Sequence, residues 1–403
     1  MLGGPMLQPS KLIEDFRLLF EGKPEWVVRA PGRVNLIGEH TDYNEGFVMP
    51  MAIDRAVWIA LRPRTDTRVV VESLDFGGRV DFDIQSLVGI SPRSGHPLQP
   101  KKDSSQAWTA YFAGVAWSLL EAGWPLRGWE GVVRGDVPIG AGLSSSAAVE
   151  VAAACAFAAS SGCPVKVVPV ALACQRAENQ WVGVSCGIMD QLVCLAGKKN
   201  HAVLIDCRSL QWRPVPLPNE VVLVVMDTAT RRDLANSEYN ARRAQCEEAA
   251  RLLGVRALRD ISWETWPQCE PMLGEPWRRR ARHVVSENQR TLQAVEAMEQ
   301  GDLSRLGQLL VESHRSLRED FEVSSPALDA MVEIALRQPG CLGARMTGAG
   351  FGGCAIALVK REAVPPFLNA VASEYQSATN LEPKLYVCEP SDGAQILSPD
   401  ALG

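Results

Sequence analysis

Residues 138–148 read Pro-Ile-Gly-Ala-Gly-Leu-Ser-Ser-Ser-Ala-Ala, between a β-forming run, Trp129 to Asp136, and a strongly apolar stretch that continues to Gly162. Strand, glycine loop and helix follow in that order. Glycines let a ligand approach the backbone closely, and a helix that starts at such a loop offers unpaired N–H groups and the positive end of its dipole. Phosphate is the kind of anion that fits there. The chain has no G-x-x-x-x-G-K-[ST] run, so the cation a Walker lysine would supply must come from elsewhere in the chain or from a metal. On the loop alone, an ordinary glycine turn with serine helix caps is the competing reading.

Outward from this loop the chain reads as α/β material in both halves. Lys11 to Phe20 has helical spacing, and Trp26 to Val28 reads as a short strand. Phe47 to Leu61, Arg68 to Glu72 and the strictly alternating Arg79 to Ile84 read as strands of a mostly antiparallel sheet. Leu87 to Ser105 reads as a surface loop, followed by a helix from about Ala107 to Ala122. Helices are expected from Pro164 to Asn179 and from Met189 to Ala196, then a strand from His201 to Asp206. Pro214, Pro216 and Pro218 mark the best candidate for a boundary, because alternating prolines disfavour both helix and central strand. Beyond it come a strand at Val221 to Met226, helices near 236–253, 278–299, 303–318 and 326–336, and a strand pair, Gly343 to Thr347 and Cys354 to Lys360.

A chain of 403 residues exceeds what one core usually supports, which predicts two domains or one large domain with insertions; the proline boundary gives 1–215 and 216–403, with a cleft between them. With 46% hydrophobic and 22% charged residues, bulk disorder is excluded. A net charge of −6 argues against nucleic-acid or anionic-membrane partners and favours small-molecule chemistry. The 11 cysteines form no C-x-x-C pair, so disulfides and a zinc site are not expected and a reducing cytoplasm is. No signal peptide or membrane span is read.

Three further stretches bear polar chemistry. Ala30 to Gly46 packs Arg33, Glu39, His40, Asp42 and Asn44 into what reads as a loop between strands, a set able to grip a polyol. The alternative is a solvated loop in which Asp42 and Asn44 cap turns. Glu178 near a helix end can offer a carboxylate to a divalent ion, and Asp190, at the start of the next helix, can accept a proton from a hydroxyl or simply cap that helix. Gly348 to Gly353 satisfies G-x-G-x-x-G but runs into the strand-like Cys354 to Val359, which excludes a dinucleotide fold and leaves a glycine hairpin.

Taken together and in this order, Gly32 to Gly46, Pro138 to Ala148, Cys186 to Gln191 and Met346 to Gly353 resemble the galactokinase branch of the GHMP small-molecule kinase superfamily. Leu204 to Leu210, Glu238-Tyr239 with Arg242-Arg243, and Glu312 to Leu317 extend the similarity over nearly the whole chain, with Ala349 where many relatives carry glycine. The resemblance implies a two-domain α/β (α+β) GHMP kinase-like fold with the active site in the cleft. It implies phosphorylation of the anomeric hydroxyl of galactose by ATP with Mg²⁺; separately, a monomer is expected. It makes Asp190 the catalytic base and Arg33 the cation that stabilises transferred charge. It assigns Glu39, His40, Thr41, Asp42, Gly187 and Tyr239 to the sugar. Gly140, Ala141, Gly142, Leu143, Ser144, Ser145 and Ser146 are assigned to ATP, with Ser73, Trp108 and Arg231, and Ser146 and Glu178 to the metal. N-acetylgalactosamine is the rival substrate within this chemistry. A non-catalytic sugar sensor is the rival outside it, and the intact Ser146-Ala147-Ala148 favours catalysis.

Overall fold

The computed structural model describes residues 7–75, 77–92, 108–140, 142–230 and 235–402, excepting the side chains of 235–237. Ala141, Arg231 and most of the expected 87–105 loop, together with the start of the helix expected from Ala107, lie outside the described residues. Helix α1 (Pro9–Phe20) precedes β1 (Trp26–Ile37), β2 (Phe47–Pro63), β3 (Arg68–Ser73), β4 (Arg79–Asp83), α2 (Thr109–Glu121) and β5 (Trp129–Gly135). Then follow α3 (Ser145–Ser161), α4 (Val167–Arg176), α5 (Met189–Ala196), β6 (His201–Asp206) and β7 (Gln211–Pro216). The remainder is β8 (Val221–Asp227), α6 (Ala235–Leu252), α7 (Trp266–Cys269), α8 (Trp277–Gln300), α9 (Leu303–Glu319), α10 (Pro326–Arg337), β9 (Cys341–Thr347), β10 (Cys354–Lys360), α11 (Val364–Thr379), β11 (Lys384–Cys388) and β12 (Gln395–Leu397).

Among the described residues these strands form two sheets. The first has the order β12-β1-β2-β5-β3-β4, with β6 and β7 attached beside β2, and the second has the order β11-β8-β10-β9. All pairings are antiparallel except β3 with β5. The chain passes from the first sheet to the second between Pro216 and Val221 and returns to the first at β12.

The alternation of β8 shows how the halves are joined. Val221, Leu223 and Val225 face one hydrophobic core, and Val222, Val224 and Met226 face another. In β10, Cys354, Ile356 and Leu358 join the first core while Ala355, Ala357 and Val359 join the second. A strand with both faces buried reads as a continuous apolar run, as Val221 to Met226 does. The second sheet therefore seals the larger core and roofs its own.

Helix α3 is rich in alanine, buried on most sides with Glu150 inside, and lies against β1, β2, α2 and α5. Its alanines explain the close approach: they have the highest helix propensity and no side-chain bulk to separate neighbours. Two departures from the sequence reading have local causes. The stretch 30–37, expected as loop, continues β1, because Pro31 sits at a register shift where its missing N–H is not needed. Pro214 and Pro216, read as a boundary that disfavours helix and central strand, lie in β7, an edge strand that pairs only with β6.

Candidate active site in the cleft

Arg33, near the bulge of β1, links three segments. Its Nε and Nη2 donate to Asp190 Oδ1 and Oδ2, each at 2.8 Å, and its Nη1 donates to the carbonyl of Gly142 at 2.6 Å. Its backbone N–H reaches Leu143 O at 3.1 Å. Burial alone would lower the affinity of this guanidinium for its proton, but the nearby Asp190 and Glu39 carboxylates raise it, so the charge is fixed. The fork geometry holds the carboxylate in one plane. Asp190 is the second residue of α5 and does not cap it, since Ile188 holds that position.

The loop that precedes α3 has Gly140 and Gly142 at φ +71 and Ser144 at φ +56, conformations that favour glycine and strain serine. No side-chain cap forms at the helix start; the Ser144 hydroxyl donates to Asp190 Oδ2 instead. The phosphate-loop candidate is thus tied to the carboxylate through both Ser144 and Arg33. Ser146 hydrogen-bonds Glu178, whose carboxyl is raised by burial and lowered in part by contacts with Cys186 and Ser146. Gln191 Nε2 donates to Glu178 Oε2 at 2.8 Å and to the fully buried Glu150 Oε2 at 3.0 Å. Glu178 and Ser146 present hard oxygen donors, the type magnesium takes beside phosphate oxygens.

Beyond β1 the backbone turns sharply at Gly38 (φ +91) and His40 (φ +63). Glu39 Oε2 accepts from Arg345 Nη2 at 2.7 Å, an ion pair buried on both sides. Arg345 also donates to the carbonyls of Asn35 and Leu36 at 3.2 and 3.0 Å. The imidazole of His40 is pushed down to about 3, first by burial and then by His283, so it is neutral. Tyr43, whose phenol burial holds well above its usual range, lies with its hydroxyl 2.9 Å from His40 Nδ1. The imidazole tautomer decides which of the two donates to the other. Thr41 is fully buried and spends its hydroxyl on the carbonyls of Gly38 and Phe47, closing the loop on itself.

A cavity of about 210 Å³ collects these groups: Arg33, Glu39, His40, Asp42, Gly187, Asp190 and Tyr239 line it, together with Glu178 and with Gly348 and Ala349 from the β9–β10 hairpin. Its volume is below the roughly 300–1,000 Å³ of drug-sized ligand sites. Burial first, and then the charge of Asp190, push the Asp42 carboxyl up to about 7. Tyr239, on α6, packs 5.6 Å from the His40 ring. Ser73 ends β3 and Trp108 precedes α2, and neither lines this cavity. Tyr43 and Arg345 received no role from the sequence. The signal for Arg345 was a lone cation inside an apolar strand, which calls for a buried carboxylate.

The comparisons agree with this layout. The galactokinase galactose-binding signature matches residues 14–63, the N-terminal domain of GHMP kinases residues 110–198, and their C-terminal domain residues 294–377. A galactokinase of Roseiflexus sp. (strain RS-1) is 47% identical over 96% of this chain and 97% of its own. One from Chloroflexus aurantiacus is 46% identical over 97% and 98%. The crystal structure of Lactococcus lactis galactokinase complexed with galactose superimposes with a TM-score of 0.88 at 35% identity, covering 96% of this chain and 99% of that one. Methanococcus jannaschii mevalonate kinase shares the fold, with a TM-score of 0.61 at 17% identity over 92% of this chain and 100% of that one.

Proposed function

The chain belongs to the galactokinase family of GHMP kinases, and we propose how its cleft divides the work of moving the γ-phosphate of ATP to the anomeric hydroxyl of galactose. The observation that carries the reading is the junction of Asp190 with Arg33 and Ser144, at the wall of a monosaccharide-sized cavity and at the mouth of the glycine loop. Sugar hydroxyls meet Glu39, Asp42, the imidazole of His40 and the Gly187 backbone, while Tyr239 packs against His40. Thr41 serves the sugar indirectly, by closing the loop that carries its neighbours.

In transfer, the anomeric oxygen bonds to the γ-phosphorus, the bond to the β,γ-bridging oxygen breaks, and ADP leaves with that electron pair. The hydroxyl proton passes to Asp190. Amides of the 140–146 loop and the Arg33 charge stabilise the transferring group, an effect that grows where water is excluded. Magnesium, held by Ser146 and Glu178, would offset the negative charge of the phosphates; their hard-oxygen donor set fits that ion. Ser73, Trp108, Ala141 and Arg231 belong, on this reading, to the nucleotide side.

We further propose that 1–215 and 216–403 are its two domains, with β12 returning to the first, and that it works as a monomer in the cytoplasm. All cysteines among the described residues are free thiols. No described helix is long and apolar enough to cross a membrane. Phosphorus NMR of products from ATP and galactose tests the reaction: galactose 1-phosphate with equimolar ADP is expected. Phosphate on another hydroxyl, or faster turnover of N-acetylgalactosamine at equal concentration, would contradict it.

A further inference from the structure

The groups that face the sugar sit on a turn that the other half of the chain holds in place. Helix α8 presents one stripe to it, at His283, Glu287, Asn288 and Thr291, spaced as neighbours on a helix face. Glu287 is fully buried. Its Oε1 accepts from the backbone N–H of Gly38 at 3.1 Å, the N–H of Glu39 at 3.3 Å and the Ser313 hydroxyl at 2.7 Å. Its Oε2 accepts from Arg290 Nε at 2.7 Å. One turn earlier, His283 Nε2 donates to the carbonyl of Glu39 at 3.1 Å, and just beyond, Asn288 Oδ1 accepts from the N–H of Phe47 at 2.8 Å. The amides of Gly38 and Glu39 therefore find their partners on a carboxylate some 250 residues away in sequence, as the separations of 249 and 248 record.

The turn needs such support. Gly38 and His40 are both left-handed, His40 at a cost that an L side chain does not bear without surrounding restraint. A Cβ at Gly38 would meet the backbone of Phe47 and Val48 and the Thr291 hydroxyl, so the turn has no alternative room. Glu39 and His40 point from this segment into the cavity. Burial would raise the Glu287 carboxyl, but Arg290, His283 and Arg345 pull it down to about 2, so it stays an acceptor throughout the working range.

We propose that Glu287 is a positioning residue for the sugar: by taking the two backbone N–H groups at Gly38 and Glu39 it fixes the turn that aims Glu39 and His40 at the substrate. Glue between halves would leave a different signature, because a general loosening of the cleft affects ATP and galactose alike. The inference rests on the assignment of this cavity to the sugar.

The test is steady-state kinetics with calorimetric galactose binding on Glu287→Ala, Glu287→Gln and Glu287→Asp. Glu287→Ala leaves two buried amides without an acceptor, and KM for galactose should rise roughly tenfold or more, with KM for ATP changed by less than about twofold. Glu287→Gln keeps an acceptor oxygen in place and should restore most of the sugar affinity. Glu287→Asp keeps the charge but withdraws the acceptor by one methylene, and should weaken galactose without weakening ATP. If Glu287→Ala does not fold, the Asp and Gln variants carry the test. Wild-type galactose affinity in a folded Ala or Asp variant, or equal losses toward both substrates, overturns the proposal. Failure of the wild-type protein itself to bind galactose would strike the sugar assignment instead.

Discussion

Gly187→Ala isolates one contact in the sugar cavity. A Cβ built at Gly187 falls inside contact distance of the Asp42 carboxylate and lies 3.0 Å from Asp42 Cβ. Gly187 is not among the residues with positive φ, so alanine meets no backbone objection and the whole effect runs through Asp42. Asp42 is a short side chain at the cavity wall and cannot swing aside without leaving the substrate. Overpacking of this kind costs about 1–3 kcal/mol. Charged entirely to the sugar-bound state, that is about five- to 150-fold in KM for galactose, at about 1.4 kcal/mol per decade. The assay is KM for galactose and for ATP in Gly187→Ala, Asp42→Ala and the double variant, with thermal midpoints. Galactose KM should rise alone in the first variant, and the added methyl should cost little once Asp42 is already alanine. An unchanged galactose KM, or an equal penalty in both backgrounds, would refute the reasoning.

Three further outcomes follow from charge. With the Asp42 carboxyl at about 7 in the sugar-free protein, galactose affinity should climb roughly tenfold between pH 6 and 8 as the accepting carboxylate forms, and Asp42→Asn should flatten that profile. The sign for stability is opposite: a carboxyl raised above its unfolded value of 3.8 favours the folded state at low pH, so the sugar-free protein should lose stability as pH rises through 4 to 7, which a pH series of thermal midpoints checks. Ser146→Ala combined with Glu178→Gln should move the magnesium dependence of ATP binding to higher concentration, and an unaltered titration would break their pairing.

Much of this site was legible because its residues cluster in sequence. Arg33 to Asp42, Gly140 to Ser146 and Cys186 to Asp190 each occupy one loop or element edge, where residue type and spacing speak directly. Their pairings have no local signal: Arg33 with Asp190 was expected from the family resemblance alone, and Glu39 with Arg345 and Gly38 with Glu287 were not expected, the three separations being 157, 306 and 249 residues. Packing of α5, α8 and β9 against the end of β1 brings them together, and such long-range packing has no local code. The same limit explains β7: Pro214 argued against a central strand, and only the placement of β6 made an edge available. Ser144 shows a subtler case, in which a residue expected to cap a helix or meet ATP gives its hydroxyl to Asp190.

The most direct test of the account is single-turnover phosphorylation by Asp190→Asn, with galactose binding measured in parallel. Galactose should still bind, because Glu39, His40, Asp42 and Gly187 remain, while transfer falls on the order of 10²–10⁴-fold with the loss of the proton acceptor. Near wild-type transfer in the asparagine variant would contradict the central claim that Asp190 takes the proton of the sugar hydroxyl.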